Sequence, residues 1–182
     1  MRSLRNLGDH PAGTPLLSDD IVEFHAARLL LLLRRCGIAN RIEGLTKLAK
    51  LDFFVRYPMF YERALRRSQG AAPLRNVEFA MVRHHYGPWD KRYYHVLAYL
   101  EGAQLLRITT GPRGVVAFAL TDLGREKADL LSRSHAFTAL VQQMARVKKT
   151  FGGMSGSRLK KLIYELFDDE VASRPLGETI AP

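Results

Sequence analysis

Residues 86–127, YGPWDKRYYHVLAYLEGAQLLRITTGPRGVVAFALTDLGREK, decide the fold of this chain. Apolar side chains recur at helical spacing from Trp89 to Leu100, which predicts one helix with a single apolar stripe. Gly87-Pro88 interrupts whatever precedes this helix, and proline suits a first helical turn. Gly102 marks its end. We therefore expect a helix that includes Trp89 and ends near Gly102.

Two runs of alternating apolar residues follow the helix, as half-buried strands require: Leu106 and Ile108, then Val116, Phe118 and Leu120. Residues 109–114, TTGPRG, lie between the runs and are rich in turn formers. Thr121 is a suitable N-cap for a helix that begins near Asp122. Helix, hairpin and closing helix together predict a mainly α fold with a small antiparallel β-hairpin wing. We assign it to the winged helix-turn-helix class, with additional C-terminal helices.

The rest of the chain predicts further helices around this segment. We expect them from Asp19 or Asp20 to Cys36, from Glu43 to Tyr57, from Met59 to Ser68, from Ser134 to Lys149, and after a break at 151–156. Residues 77–84 form either a short strand or an extended link. The chain divides into an N-terminal arm at 1–18, a winged-helix domain at 19–131 and a helical extension at 132–182. The apolar stripes of the extension either cover the core or dock a partner, and both options stay open.

Composition places the protein in the cytoplasm, away from membranes. The single Cys36 among 182 residues permits no internal disulfide, which is typical of a reducing compartment. The start of the chain shows no secretory pattern. Leu29–Leu33 is an apolar run, but it is far shorter than the roughly 20 residues that span a bilayer. It predicts a buried core helix instead.

The chain is strongly basic, with a formal net charge of +10. Between Arg28 and Arg67, ten basic residues face three acidic ones. We expect Lys47, Lys50 and Arg56 to form a basic helix surface. Such an excess favours phosphate-bearing or acidic partners and makes their binding sensitive to salt.

Basic residues also mark the predicted recognition helix and wing. Lys91, Arg92 and His95 are expected on the outer side of the helix, while Arg107 and Arg113 belong to the wing. Long cationic side chains at these points neutralise phosphates, and no Asn or Gln pair is placed to read adenine. We therefore predict binding to double-stranded DNA with little sequence preference. An acidic protein surface is the alternative partner for this face.

Motifs of catalysis are missing from the sequence. It has no Gly-rich phosphate loop, no GxGxxG, no HExxH and no zinc-ligand spacing. Cys36 follows Arg34-Arg35, whose charge favours a thiolate, but no partner base is evident. We expect neither an enzyme nor a metal or cofactor site.

Two stretches resemble a known family. Residues 42–58, IEGLTKLAKLDFFVRYP, and residues 86–90, YGPWD, with YLE at 99–101, resemble the middle components of ABC-three-component bacterial systems. The resemblance covers roughly residues 20–130. Those proteins are small winged-helix subunits encoded between an SMC-like ABC ATPase and an effector in Lamassu-type antiphage defence.

The resemblance implies a non-enzymatic accessory subunit that binds the SMC-like ATPase or the effector and helps to sense foreign DNA. The alternative is a winged-helix transcriptional regulator that acts as a homodimer. A regulator requires two recognition helices about one DNA turn apart, and the last two helices could supply its dimer interface.

Overall fold

The computed structural model describes residues 21–65, 81–84, 87–111 and 114–167. Its helices are α1 (Val22–Cys36), α2 (Leu45–Arg56), α3 (Pro58–Leu65), α4 (Tyr93–Gly102), α5 (Asp122–Arg133), α6 (Thr138–Phe151) and α7 (Gly156–Leu166). Its strands are β1 (Arg41–Glu43), β2 (Val82–His84), β3 (Gly87–Trp89), β4 (Leu106–Thr110) and β5 (Val116–Leu120). A short 3-10 turn, His135–Phe137, precedes α6.

Helix α1 forms the centre of the molecule. The residues Leu29–Leu33 are each at most 3% exposed, so the run is buried on every side of the helix. Helices α2, α4, α5 and α6 and strand β5 all contact α1. A helix that is apolar all round must be enclosed in this way. The prediction of a buried core helix is confirmed, whereas its predicted caps, Asp19 and Asp20, lie outside the described residues.

The predicted hairpin is present as β4 and β5, which pair antiparallel with Ile108 opposite Phe118. The sheet has a third strand that the sequence did not reveal, because β1 pairs with the free edge of β5 in the order β1-β5-β4. Phe118 thus has a neighbour on each side, with Ile42 of β1 opposite it. The buried face of this small sheet packs against α1.

Strand β1 occupies the position where the sequence predicted the start of a helix. Ala39 and Asn40 precede it with φ values of 49° and 59°, the left-handed values of a two-residue hairpin turn. Glu43 belongs to the strand, and α2 begins only at Leu45. The residue between them, Gly44, has a φ of 83°, which stops the helix from extending backwards.

The start of α4 also differs from the prediction. Trp89 lies in β3, paired opposite Val82, and the helix begins at Tyr93. The carboxylate of Asp90 accepts a hydrogen bond from the Arg92 amide at 3.0 Å, which holds a turn between strand and helix. Trp89 still packs edge-on against Tyr93, with ring centroids 5.6 Å apart. The apolar stripe was therefore read correctly as core, but its first member is not helical.

The C-terminal helices close the core. The predicted cap of α5 is confirmed, since the Thr121 hydroxyl accepts a bond from the Gly124 amide at 2.9 Å. Helices α6 and α7 pack on α1 and α2. The rings of Phe54 and Phe151 stack with centroids 4.4 Å apart, and Ile163 of α7 is fully buried. The described part of the extension thus covers the core of the main domain.

The coarse fold class is confirmed: the protein is mainly helical with a small antiparallel sheet. Within the described ranges, none of the helices is both long and apolar enough to cross a membrane.

Candidate nucleic-acid interface

Three of the predicted contact residues lie exposed on α4, on the turn before it and on the hairpin. Lys91 precedes the helix, His95 lies in its first turn, and Arg107 lies on β4. Helix and hairpin are tied together because the Glu101 carboxylate accepts a hydrogen bond from the Ile108 amide at 2.9 Å. The predicted wing residue Arg113 falls outside the described residues. Lys91 before α4 and Arg107 on β4 are thus exposed cationic side chains.

Arg92 differs from these three because it is held from within. Its Nε and Nη2 atoms donate to the two carboxylate oxygens of Asp90 at 2.8 and 2.7 Å. Its Nη1 atom lies 2.9 Å from Nε2 of His25 on α1. Its side chain is 31% exposed. Arg92 is thus a bridge between α1 and the start of α4, and the prediction that it faces outward is only partly met.

The predicted basic surface of α2 is wrong. Lys50 and Arg56 are fully buried. Lys50 donates to the carbonyl oxygen of Pro88 at 2.9 Å, and Arg56 donates to Asp90 at 2.8 Å. Lys47 is partly buried, and its ammonium donates to the carbonyl of Gly152 at 2.9 Å. The three side chains link α2 to Pro88, Asp90 and Gly152 within the fold, so they do not form a binding surface.

A buried ionic network lies beneath the start of α4. Arg28 of α1 lies 3.1 Å from Asp52 of α2, which also accepts a hydrogen bond from the Tyr93 hydroxyl at 2.7 Å. Arg56 lies one helical turn after Asp52 and links two carboxylates. Its Nη1 atom lies 4.0 Å from Oδ2 of Asp52 and 2.8 Å from Oδ2 of Asp90. Charges buried at this depth are tolerated only when they are paired and hydrogen-bonded. The network therefore fixes α4 against α1 and α2.

The network also sets the ionisation of its members. Burial raises the pKa of Asp90, but hydrogen bonds from Arg92 and the charge of Arg56 outweigh it and hold that pKa well below its usual range. Burial, reinforced by Asp52, raises the pKa of Tyr93 well above its usual range. Asp90 thus stays charged and Tyr93 stays a hydrogen-bond donor.

Lys50 is the exception among the buried cations. Burial, with a smaller effect from the charge of Lys160, lowers its pKa to about 7. Its ammonium therefore loses its proton in the folded protein near neutral pH. The group is enclosed between α2 and the carbonyl of Pro88, which gives it a structural position.

The cysteine is equally enclosed. Burial raises the pKa of the Cys36 thiol to about 12, and its Sγ donates to the carbonyl of Met144 at 3.3 Å. Burial thus outweighs the activating effect expected from Arg34-Arg35. Across the described ranges, no three His, Cys, Asp or Glu side chains converge as a metal site would require.

One exposed residue of this surface escaped the sequence analysis. Tyr94 follows the buried Tyr93 directly and is 66% exposed. Neighbouring helical residues point about 100° apart, so a Tyr-Tyr pair at the edge of an apolar stripe places one ring inside and one outside. Counting the stripe would have found it, because Tyr93 occupies the inward position.

Comparison with protein-family models, with curated proteins and with solved structures finds no match to this chain. The resemblance to middle components of ABC-three-component systems therefore stays a prediction.

Proposed function

We propose that this protein is a non-enzymatic winged-helix subunit that contacts double-stranded DNA without strong sequence preference. In this proposal α4 is the recognition helix and the β4–β5 hairpin is the wing. The subunit acts in the bacterial cytoplasm, bound to an SMC-like ABC ATPase and an effector of an antiphage defence complex. The ATPase supplies nucleotide hydrolysis, and this chain supplies a DNA-contacting surface.

The observation that carries the proposal is the exposure of basic side chains on α4, on the turn before it and on β4. Lys91, His95 and Arg107 are exposed, while Asp90 next to Lys91 is paired with Arg56 and Arg92. The described buried side chains include three basic groups, of which Lys50 loses its proton near neutral pH, and two acidic ones, so their charges nearly cancel. The described core therefore contributes little to the net charge of +10, and exposed basic side chains of the described ranges attract phosphates.

The exposed face of α4 argues against strong sequence reading. Its exposed residues are Tyr94, His95, Ala98, Tyr99 and, at the C-terminal end, Glu101 and Gly102. Bidentate reading of guanine or adenine needs Arg, Lys, Asn or Gln aimed at base edges. Lys91 and Arg107 are suited to phosphate contacts. Such contacts position a protein on the duplex but carry little sequence information.

The test of DNA binding is charge reversal on this surface. The Lys91→Glu/Arg107→Glu variant should weaken binding to a mixed-sequence duplex about tenfold or more. The matched control, Lys149→Glu/Arg158→Glu, makes the same charge change at exposed positions of α6 and α7. Equal losses in both variants would show that only net charge matters, and no loss in the first would contradict the DNA-binding face.

The test of the complex is co-expression with the genomic neighbours. A tagged chain should retain a large ATPase and an effector through purification, identified by mass analysis. Elution as a lone symmetric dimer, with no ATPase bound, would contradict the subunit proposal and favour the homodimeric regulator.

A further inference from the structure

The most exposed large apolar side chain of the described residues is an aromatic ring on the proposed DNA face. Tyr94 is 66% exposed, and it lies in the first turn of α4 beside Lys91 and His95. Most of this ring's apolar surface stays in water, where it contributes nothing to folding. Its position beside Lys91 and His95 therefore suggests a binding role.

Aromatic packing holds this ring in place from behind. Trp89 lies against Tyr94 with ring centroids 6.0 Å apart and an interplanar angle of 48°. Trp89 in turn packs edge-on against Tyr93, whose hydroxyl is anchored on the buried Asp52 at 2.7 Å. Tyr94 is thus the outer member of a supported aromatic row. A ring that is already positioned loses little conformational entropy when a ligand stacks on it.

The charges around the ring suit a nucleic acid strand. Lys91 and His95 are exposed on either side of Tyr94 in sequence. Proteins that bind single strands combine cations that follow the backbone with aromatic rings on which bases stack. A base inside a duplex is stacked on both faces, so only an unpaired base can place a free face against this ring.

We propose that Tyr94 is a stacking platform for an unpaired base of single-stranded DNA, with Lys91 and His95 on the adjoining phosphates. This inference rests on the proposed DNA-binding function. It adds single-stranded DNA as a ligand, whereas the proposed function concerns duplex DNA. Arg92 holds Asp90, the residue that follows Trp89, at 2.7 Å. The site thus combines a supported aromatic ring, the cationic Lys91, the imidazole of His95 and no exposed carboxylate within three residues on either side.

The experiment is fluorescence anisotropy with labelled oligothymidylate of about 12 nucleotides, beside a duplex of the same length. Tyr94→Leu keeps an apolar side chain and removes the ring. It should weaken single-strand binding about 5- to 100-fold, the range expected for one stacked base. Tyr94→Trp should retain binding. Tyr99→Leu, a change to another exposed ring of α4, is the matched control and should alter affinity less than about twofold.

The two arms separate this proposal from the one it rests on. Duplex binding that is lost in Lys91→Glu/Arg107→Glu, together with single-strand binding unchanged by Tyr94→Leu, would overturn stacking and leave the DNA-binding function standing. If the protein bound neither the oligothymidylate nor the duplex, both proposals would be overturned. Equal losses in Tyr94→Leu and Tyr99→Leu would also overturn stacking. Thermal unfolding should show only a small drop in the melting temperature of Tyr94→Leu, because the ring is mostly exposed and loses only its contact with Trp89.

Discussion

Replacing Lys50 with Met should change how the stability of this protein depends on pH. The folded protein holds this lysine at a pKa of about 7 because the side chain is buried, whereas its ordinary pKa is 10.5. Between these values the unfolded chain carries the proton and the folded chain does not. The unfolded state therefore binds more protons, so stability rises with pH across this window.

The size of the effect follows from the two pKa values. Each unit of difference corresponds to about 1.4 kcal/mol, so the free energy of unfolding should rise by about 1.4 kcal/mol per pH unit from this lysine. Lys50→Met removes the titration and also the hydrogen bond to Pro88. Loss of that bond shifts stability by a constant amount, about 1 to 3 kcal/mol, but it does not alter the slope.

Urea unfolding followed by circular dichroism at half-unit steps from pH 7 to pH 9.5 measures this slope. The stability of the parent minus that of Lys50→Met should rise by about 3 kcal/mol across the window. Taking the difference cancels the titration of other groups, including Cys36. Lys149→Met, which replaces an exposed lysine, controls for losing a lysine as such. A difference that stays flat, or that falls with pH, would refute the buried neutral lysine.

Three further experiments, two substitutions and one thiol-labelling measurement, probe the packing of the core. Gly124→Ala would place a Cβ atom 1.8 Å from the carbonyl oxygen of Leu105, so it should lower the free energy of unfolding in urea by about 3 kcal/mol; an unchanged midpoint would contradict this close contact. Asp52→Asn removes a carboxylate paired with Arg28 and should cost about 3 to 5 kcal/mol in the same assay, whereas a loss below 1 kcal/mol would argue against a buried ion pair. The Cys36 thiol, with its pKa raised to about 12, should react with a thiol reagent only as fast as the protein unfolds, and rapid reaction in buffer would show that it is accessible.

The parts of the fold that could be predicted are those set by nearby residues. Alternating apolar residues gave the β4–β5 hairpin, and Thr121 gave the start of α5, because a cap acts within one helical turn. The apolar run Leu29–Leu33 gave the central helix for a similar reason. In each case the responsible side chains are neighbours along the chain.

The parts that could not be predicted depend on residues far apart. Lys50 and Arg56 look like a basic helix surface in sequence, yet their partners Pro88 and Asp90 lie 38 and 34 residues away. Nothing in the spacing of α2 marks these cations as buried. Strand β1 was missed because three residues are too few to show a period, and it forms only by pairing with β5.

In the candidate interface, too, local features were predictable from the sequence and long-range contacts were not. The sequence identified Lys91, His95 and Arg107, whose exposure follows from the stripe of α4 and the alternation of β4. It did not reveal that Arg92 is shared with His25 and Asp90, since α1 approaches α4 only in the folded chain.

The buried ionic network holds the start of α4 in one orientation beneath the proposed interface. An exposed helix binds a rigid duplex well only when it is held in one orientation, since ordering it on binding would cost affinity. Asp90 and Tyr93 fix the start of α4 from below through Arg56 and Asp52. In the proposed DNA contact, these buried charges would hold α4 in one orientation and would not touch the DNA.

The salt dependence of duplex binding tests the central proposal most directly. Affinity measured between about 50 and 200 mM salt should fall linearly on logarithmic axes, and the Lys91→Glu/Arg107→Glu variant should flatten that slope by about 2, one phosphate contact for each cation. The control variant Lys149→Glu/Arg158→Glu should keep the parental slope. A parental slope in the first variant, or an equal flattening in both, would contradict phosphate contacts by Lys91 and Arg107.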